Sequence, residues 1–265
     1  MKFKIKIPKK KIKEKEIKDF FLAKKMNLLI ENSLIKRNVK DERVQKEPHL
    51  PILKDLYFLY KLITLNKRTT ILEYGSGWST LVMHKALIEN KNKYHPMPFP
   101  RCSWPYGLIA VENNKKFLRI TEKRLKLNKC DAKLIRLFFS EAEITIYNNR
   151  YATHYKKNPR CNPDLIYIDG PSQWGVTNSI ENFTTENFAM MPMLCQVLKF
   201  EHFLTPGTII VFDGRAANAR FLKCNFQRNW KYINNKSTDH HIFFLDEEPL
   251  GPLNYKQIKF YNSSK

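Results

Sequence analysis

An acidic side chain and two closely spaced glycines stand together in the segment ILEYGSGWST, residues 71–80. Glu73 ends an apolar run, and Gly75 and Gly77 follow it. Ser79 then falls in the first turn of a predicted helix. Glycine allows a tight turn and lets a ligand approach the backbone, while the first residues of a helix present unbonded N–H groups. The segment therefore predicts a strand, a ligand-binding turn and a helix, in that order.

The glycine turn differs from the fingerprint of dinucleotide-binding proteins. That fingerprint is Gly-x-Gly-x-x-Gly, and Thr80 stands where its third glycine would be. The carboxylate of Glu73 would also repel a pyrophosphate, whereas it would suit the cationic methionine part of S-adenosylmethionine. We therefore expect the turn to bind S-adenosylmethionine and not a dinucleotide.

Three further carboxylates end apolar strands. Glu112 ends LIAVE, Asp169 ends DLIYID and Asp213 ends GTIIVFD. A carboxylate in such a place can accept hydrogen bonds from both hydroxyls of a ribose, or it can polarise or deprotonate an attacking hydroxyl. The carboxyl ends of parallel strands meet at one edge of a sheet, where such folds bind ligands. We expect these carboxylates and the glycine turn to form one site.

The elements that position these residues alternate along the chain. Nearly continuous apolar strands are each followed by a helix, which is typical of a parallel sheet covered on both faces. The segments KYINN and HIFFLDE then close the pattern as an antiparallel hairpin. We predict an α/β fold with a Rossmann-like, doubly wound sheet, mostly parallel with a C-terminal antiparallel hairpin, in three layers α/β/α. A long helix within 176–203 and a proline-rich inserted loop at 91–107 are also expected.

The charge of the chain is strongly positive and uneven. Its 265 residues include 47 Lys and Arg against 25 Asp and Glu, a net charge of +22, and residues 1–46 hold 16 against 6. Apolar residues within that stretch fall on one helical face, namely Ile17, Phe20, Phe21 and Leu28. We predict a basic N-terminal helical extension over 1–46 that docks on a main domain over 47–265. Contact of this arm with nucleic acid or an anionic membrane is the alternative.

The composition excludes several classes of protein. Hydrophobic residues make up 43% of the chain, and 8 Gly and 14 Pro are too few for a collagen-like or a Gly/Pro-rich disordered protein. Five cysteines without a CxxC pair argue against a disulfide framework or a zinc ribbon, and they favour a reducing, cytoplasmic location. No run of 18 apolar residues occurs, so we expect no membrane span.

The motifs together resemble those of the class I S-adenosylmethionine-dependent methyltransferases, over roughly residues 50–248. The shared features are the acidic-x-Gly-x-Gly motif at Glu73, Gly75 and Gly77, an acid at the end of the second strand (Glu112), an acid at the end of the fourth strand (Asp169) and a terminal hairpin. The resemblance implies that Glu73 binds the amino group of the cofactor and that Glu112 binds its ribose. The other cofactor-binding residues that it implies are Gly75, Ser76, Gly77, Trp78 and Ser79 around the carboxypropyl part, and Ser140 and Glu141 at the adenine.

The residues after strand four indicate the kind of methyl acceptor. The tetrapeptide Asp169-Gly170-Pro171-Ser172 is not the Asn/Asp-Pro-Pro-aromatic motif of the base-amino methyltransferases, and no Pro-Cys nucleophile occurs. The Asp-Gly-Pro ending is similar to that of small-molecule and sugar O-methyltransferases, which implies transfer to a hydroxyl of a sugar, glycan or small metabolite. Asp169 is expected to deprotonate or polarise that hydroxyl, with Asp213 as the second catalytic carboxylate.

The resemblance leaves metal dependence open. In the catechol type, an Asp after strand four and an Asp-Asn pair after strand five bind Mg²⁺. Asp169 and Asp213 match that pattern, but Gly214 stands in place of the Asn, and Asn218 is a speculative substitute.

Two other functions stay open beside O-methyl transfer. The first is an RNA-directed methyltransferase, supported by the net charge and by Tyr and Phe interleaved with Lys. The second is a non-catalytic Rossmann-like binding module. The acceptor pocket is expected to come from loops such as 91–107 and 171–185, where Trp104 and Trp174 would either stack on the acceptor or pack as core or lid. The sequence does not indicate an oligomeric state.

Overall fold

A seven-stranded sheet lies at the centre of the structure, a computed structural model that describes residues 1–8, 12–36, 47–97, 104–187 and 189–263. The strands are β1 (Thr70–Tyr74), β2 (Gly107–Glu112), β3 (Ile135–Phe139), β4 (Ala142–Tyr147), β5 (Arg150–Tyr155), β6 (Leu165–Ile168), β7 (Ile209–Asp213), β8 (Trp230–Asn235) and β9 (His240–Leu245). The helices are α1 (Glu14–Ala23), α2 (Asn27–Ser33), α3 (Leu53–Leu65), α4 (Trp78–Tyr94), α5 (Lys115–Leu127), α6 (Gln196–Phe200), α7 (Ala216–Asn225) and α8 (Gly251–Asn262). β4 and β5 form a separate antiparallel hairpin.

The strand order across the main sheet is β3-β2-β1-β6-β7-β9-β8. The first five of these strands are parallel to one another, whereas β9 runs antiparallel to both β7 and β8. The chain runs outward from β1 to β3 and returns to the other side of β1, so the connections that follow β1 and β6 lead in opposite directions. Such a switch point leaves a crevice at the carboxyl ends of the strands. The predicted doubly wound sheet with its terminal hairpin is confirmed.

Two hydrophobic cores cover the two faces of the sheet, because successive side chains of a strand point to opposite sides. In β1, Ile71 packs into the core shared with α1, α3 and α4, and Leu72 packs into the core shared with α6 and α7. Leu125 of α5 joins the first core, and Tyr155 of the β4–β5 hairpin joins the second. The result is the three-layer arrangement that the sequence predicts.

The first eight residues form an extended segment that packs against the main domain. Phe3 is 3% exposed, and its ring makes edge contacts with the rings of Phe244 and Tyr261 at centroid distances of 6.2 and 6.0 Å. The side-chain amides of Asn66 and Asn262 each donate one hydrogen bond to the backbone of this segment and accept one from it, at 2.8 to 2.9 Å. The basic start of the chain therefore contributes to the core.

The rest of the predicted extension forms two short helices. Residues 9–11 and 37–46 of the predicted 1–46 extension lie outside the described residues. The chain leaves the helical conformation at Lys25, which has a φ of +58°, so α1 and α2 do not form one continuous helix. Ile17 and Phe21 of α1 are buried, and the ring of Phe20 contacts that of Tyr60 on α3.

The prediction of a long helix within 176–203 is wrong. In the described part of that segment, helix is confined to α6 and one 3₁₀ turn, Glu201–Phe203. The backbone bonds instead to the β4–β5 hairpin, with the N–H of Thr177 donating to the carbonyl of Ala142 and that of Cys195 to the carbonyl of Thr153. Asn182, at a φ of +62°, is incompatible with a helix. The apolar residues of this segment mimic helical spacing but pack on a hairpin.

One helix boundary and one additional helix also differ from the sequence prediction. α4 continues to Tyr94, into the expected 91–107 loop, of which residues 98–103 lie outside the described part. α8 has no counterpart in the sequence analysis, because polar Asn254 and Gln257 are among the residues that it buries.

Within the described residues, none of the helices combines the length and the apolar surface that crossing a membrane requires.

The position of Phe3 predicts a measurable contribution to stability. We expect Phe3→Ala to lower the free energy of unfolding by about 3–4 kcal/mol, because it removes a buried aromatic side chain. Denaturant unfolding measures this change. Lys4→Ala is the control: the Lys4 side chain is exposed, and its removal should cost less than about 0.5 kcal/mol. Equal, small effects of the two substitutions would show that the segment does not stabilise the fold.

Candidate functional site

A cleft opens at the carboxyl ends of β1, β2, β6 and β7, at the switch point of the sheet. Its volume is about 320 Å³, which is within the range of pockets that bind small ligands. The lining includes the turn after β1, the ends of the other three strands, residues 48–52, and Asp55 and Leu56 of α3. Its polar and charged members include Ser76, Ser79, Glu112, Asp55, Tyr167, Asp169, Asp213 and Arg215.

The turn after β1 lies against the turn after β6. Gly75 has a φ of +105°, and its N–H donates to the carbonyl of Val111 at 2.8 Å. A Cβ on Gly75 would lie 3.1 Å from the nitrogen of Gly170, and a Cβ on Gly170 would lie 2.8 Å from the Cα of Gly75. Neither position accepts a side chain without displacement. The contact fixes the distance between the glycine turn and Asp169.

The start of α4 presents open space to the cleft. A Cβ on Gly77 would meet no atom within 4 Å, and the N–H of Gly77 donates to Oγ1 of Thr80 at 2.9 Å. Trp78 also lines the cleft, and the guanidinium of Arg124 stacks on its ring at 3.7 Å. Ser79 reaches the lining but directs its hydroxyl inward. The structure thus brings these predicted residues to one side of the cleft.

Glu73 lies beneath the turn and not on the cleft surface. It is fully buried, and its two carboxylate oxygens accept hydrogen bonds from Oγ of Ser79 at 2.5 Å and Oγ1 of Thr80 at 2.6 Å. Burial raises the pKa of Glu73 to about 8, against the opposing effect of these two bonds. The side chain therefore ties β1 to the first turn of α4. This geometry favours a positioning role, and the direct cofactor contact that the resemblance implies stays a prediction.

Glu112 lines the cleft beside the glycine turn. Its carboxylate accepts hydrogen bonds from Oγ of Ser76 and from the backbone N–H of Asn114, both at 2.9 Å. Burial raises its pKa, and these hydrogen bonds act in the opposite direction. The side chain is 5% exposed. The strand end and the turn thus hold a carboxylate in the place where the resemblance puts the ribose.

Ser140 and Glu141 are not among the described residues that line the cleft. Oγ of Ser140 accepts a hydrogen bond from the backbone N–H of Lys157 at 2.9 Å, and Glu141 forms a salt bridge with Lys156 at 3.0 Å. Both contacts fasten the two ends of the β4–β5 hairpin to each other. Contact of these residues with an adenine stays a prediction.

Asp169 and Asp213 both line the cleft, and their carboxylates repel each other. Half of the Asp169 side-chain surface is exposed, yet burial of the group in the cleft and the charge of Asp213 raise its pKa to about 7, against the attraction of Arg215. Burial also raises the pKa of Asp213, whose Oδ2 accepts a hydrogen bond from the Tyr167 hydroxyl at 3.0 Å. A carboxylate that titrates near neutral pH is suited to accept a proton from a substrate.

Two charged residues of the cleft escaped the sequence analysis. Nη2 of Arg215 donates to the carbonyls of Asp169 and Pro171, both at 2.8 Å, so this side chain clamps the turn after β6. Asp55 comes from α3, and burial together with Asp213 raises its pKa to about 7. Arg215 follows a strand-end motif and could have been found from it. Asp55 precedes β1 in the chain, and no spacing rule relates it to the sheet edge.

The loops that line the cleft differ from the expected ones. Residues 48–52 are part of the lining, together with Ser172 and Gln173 from the expected 171–185 loop. None of the described residues of the 91–107 loop belongs to it. Trp104 instead donates from Nε1 to the carbonyl of Lys133, and Trp174 is not in the described lining.

The described residues contain no group of three or more His, Cys, Asp or Glu side chains arranged to hold a metal ion. Asn218 is fully buried, and its Nδ2 donates to the carbonyl of Leu194 at 3.2 Å. It does not belong to the cleft lining. Asn218 therefore does not lie in the cleft beside Asp169 and Asp213, where the third metal ligand of the catechol type would be required.

No protein-family model matches the chain, and no curated protein matches it. Solved structures similar to it include an O-methyltransferase from Bacillus cereus in complex with SAH, at 15% identity and a TM-score of 0.43, with 87% of this chain and 100% of that chain covered. The O-methyltransferase TomG from Streptomyces achromogenes, in complex with SAM, has 15% identity and a TM-score of 0.44 over 84% and 96%. The tRNA (m1A58) methyltransferase TrmI from Aquifex aeolicus has 13% identity and a TM-score of 0.40 over 80% and 77%.

The order of the strands and the antiparallel placement of β9 define the architecture. It is a Rossmann-like, doubly wound α/β fold, mostly parallel with an antiparallel hairpin at one edge. Within this fold, the cleft occupies the edge at which α/β sheets bind their ligands.

The buried contacts of Glu73 distinguish a positioning role from direct cofactor binding. We expect Glu73→Gln to keep the affinity for S-adenosylmethionine within about threefold, because the amide can still bond to the two hydroxyls. Glu73→Ala should lower the free energy of unfolding by about 2–4 kcal/mol, since it leaves a cavity and two unpaired hydroxyls. Calorimetric titration and denaturant unfolding measure these effects. A tenfold or greater loss of affinity in Glu73→Gln would indicate direct contact with the cofactor's charge.

The mutual repulsion in the cleft predicts an unusual titration. We expect the Asp169 carboxyl to be half protonated near pH 7, and we expect Asp213→Asn to move that midpoint downward because it removes a negative neighbour. Carboxyl ¹³C shifts of aspartate-labelled protein measure it, with the Asp169 signal assigned as the one missing from Asp169→Asn.

Glu248→Gln is the control for this titration, since Glu248 is an exposed carboxylate outside the cleft lining. It should leave the Asp169 midpoint unchanged. A midpoint near the ordinary value of about 4 in the unmodified protein would contradict the effect of burial.

Proposed function

We propose that the protein is an S-adenosylmethionine-dependent methyltransferase that transfers a methyl group to a hydroxyl of a sugar, glycan or other small metabolite. The observation that supports this most strongly is the grouping in one cleft of the glycine turn, Glu112 and the Asp169–Asp213 pair. The glycine turn and Glu112 are groups that suit a nucleoside cofactor with a charged amino-acid tail. The Asp169–Asp213 pair can take up the proton of an acceptor hydroxyl.

The residues around the turn fit such a cofactor. The open space beside Gly77 and the N–H groups at the start of α4 would receive its carboxylate, which the positive end of the helix dipole favours. Glu112 would accept hydrogen bonds from the ribose hydroxyls. S-adenosylmethionine, when bound, supplies an electrophilic methyl group and a positive charge, and the carboxylates of Glu112 and Asp169 are complementary to that charge.

Asp169 would act on the acceptor. Its carboxylate takes the proton of the acceptor hydroxyl while the hydroxyl oxygen attacks the methyl group in line. A pKa of about 7 leaves a large fraction of Asp169 ionised at neutral pH and still basic enough to receive the proton. Arg215 holds the turn that carries Asp169, and Asp213 keeps the pKa of Asp169 raised.

The extent of the catalytic domain and its location are part of the same proposal. All the described residues that line the cleft lie beyond residue 47, so we assign the methyltransferase domain to 47–265 and treat 1–46 as an extension that packs on it. Within the described residues, Cys130, Cys195 and Cys224 have free thiols. Free thiols are compatible with the cytoplasm, where we place the protein.

Calorimetric titration of S-adenosylmethionine and of its demethylated product tests the cofactor site. We expect dissociation constants in the micromolar range for the unmodified protein. Glu112→Ala should weaken binding by about tenfold or more, because hydrogen bonds from the ribose to a charged acceptor are lost. Glu122→Ala is the control, since Glu122 is exposed on α5 outside the described cleft lining, and it should leave the affinity unchanged.

Asp169→Asn tests the transfer step. It should retain cofactor binding and lose turnover with an acceptor found in a panel of sugars, glycans and small hydroxyl compounds. Full turnover in Asp169→Asn would contradict the catalytic assignment. Failure of the unmodified protein to bind either cofactor form would favour a non-catalytic binding module.

A further inference from the structure

The positive charge of the protein lies almost entirely in its first half. Residues 1–139 contain 33 Lys and Arg against 13 Asp and Glu, whereas residues 140–265 contain 14 against 12. The helices of the first half, α1, α3, α4 and α5, pack side by side on one face of the sheet. Residues 47–139 contain 17 of these Lys and Arg against 7 Asp and Glu, so the excess charge is not confined to the N-terminal arm.

The charge is densest on α5 and on the edge strand β3. Residues 115–136 contain 9 Lys and Arg against 2 acidic residues. Eight of these cations are exposed, and we call them together the α5–β3 basic face: Lys115, Lys116, Arg119, Lys123, Lys126, Lys129, Lys133 and Arg136. β3 is the outermost strand of the sheet, so no further strand covers this edge in the described structure.

Aromatic rings hold part of this face in place. The ammonium of Lys115 lies 4.8 Å from the ring centre of Phe139, and the guanidinium of Arg136 lies 4.5 Å from that of Trp104. Acidic side chains pair with two of these eight cations, Lys126 with Glu122 at 2.6 Å and Lys116 with Glu47 at 2.5 Å. The cations of the face thus outnumber the carboxylates that pair with them.

We propose that the α5–β3 basic face binds a single strand of nucleic acid through its phosphates. The cations of α5 extend over about 16 Å of helix at 1.5 Å per residue, which is long enough to contact several successive phosphates. Lysine and arginine side chains that displace condensed counterions from the phosphates are the main source of such affinity. The binding depends on this face and is independent of the activity proposed for the cleft.

An anionic membrane fits the same face less well. A helix that binds a membrane surface buries its apolar side in the lipid. α5 turns most of that side into the protein instead, with Leu125 only 6% exposed and Leu118 and Ile120 partly buried, and of its apolar side chains Leu127 at its end is exposed, at 62%. Phosphates reached from solution need no apolar insertion, so a nucleic acid is the partner that this geometry favours.

Fluorescence anisotropy with a labelled RNA of mixed sequence, about 20 nucleotides long, tests the proposal at salt concentrations between about 0.05 and 0.2 M. The test variant carries Arg119→Gln, Lys123→Gln and Lys133→Gln. The matched control carries Arg220→Gln, Lys223→Gln and Lys231→Gln, on α7 and on the opposite edge strand β8. Each variant loses three exposed cations, so the two have the same net charge.

We expect the test variant to bind the RNA about tenfold or more weakly near 0.1 M salt, with the slope of log affinity against log salt reduced by about 2. The control should stay within about twofold of the unmodified protein. Titration of S-adenosylmethionine into both variants checks that the fold and the cleft are intact, and its result separates this proposal from the proposed function.

Three outcomes would overturn the proposal. Equal weakening in the two variants would show a general effect of net charge. No RNA affinity in the unmodified protein would leave the face without this partner. Binding to vesicles that contain phosphatidylserine, lost in the test variant while RNA affinity is absent, would assign the face to a membrane.

Discussion

The backbones of the turns after β1 and β6 touch at Gly75 and Gly170, and the arrangement of the cleft depends on this contact. The register of the two strands leads to it, because Tyr74 pairs with Ile168 immediately before the turns and the N–H of Asp169 donates to the carbonyl of Tyr74 at 2.8 Å. A side chain on either glycine would push the turns apart. The separation between the glycine turn and Asp169 would grow with it, and the methyl transfer proposed for this cleft would require the reacting groups to be held within a fraction of an ångström.

The cleft gathers carboxylates in a protein whose net charge is +22. Burial and mutual repulsion raise the pKa of Asp55 and of Asp169 to about 7, so these groups are partly neutral at physiological pH while the cleft contains no ligand cation. A cationic cofactor bound beside Asp169 would lower the pKa of that group again by Coulomb attraction. The general base of the proposed reaction would then become more fully ionised when the methyl donor is in place.

The parts of the structure that follow from local sequence were predictable. Apolar strands that end in a glycine turn or an acid carry their own signal, so the sheet, the turn at Gly75 and the place of Glu112 could be derived. The conformation of segment 176–203 could not be derived, because the backbone partners of this segment belong to the β4–β5 hairpin, which is distant in sequence. The inward orientation of the Glu73 side chain could not be derived either. It depends on hydrogen bonds from two hydroxyls in the first turn of α4, which hold the carboxylate away from the cleft. Asp55 reaches the cleft only through the packing of α3 on the sheet.

The distribution of charge separates two kinds of ligand. The cleft presents Asp55, Asp169 and Asp213, which repel phosphates, whereas α5 begins just after Glu112 and carries its cations on the solvent side. A polyanion on the α5–β3 basic face would therefore stay outside the cleft, although it would lie close to it, because Asn113 and Phe117 line the cleft at the start of α5. The carboxylates of the cleft favour, for the proposed reaction, an acceptor with a neutral or positively charged reacting end. If both proposals hold, nucleic acid bound on the outer face would determine where the protein is held, and the cleft would determine which molecule it methylates.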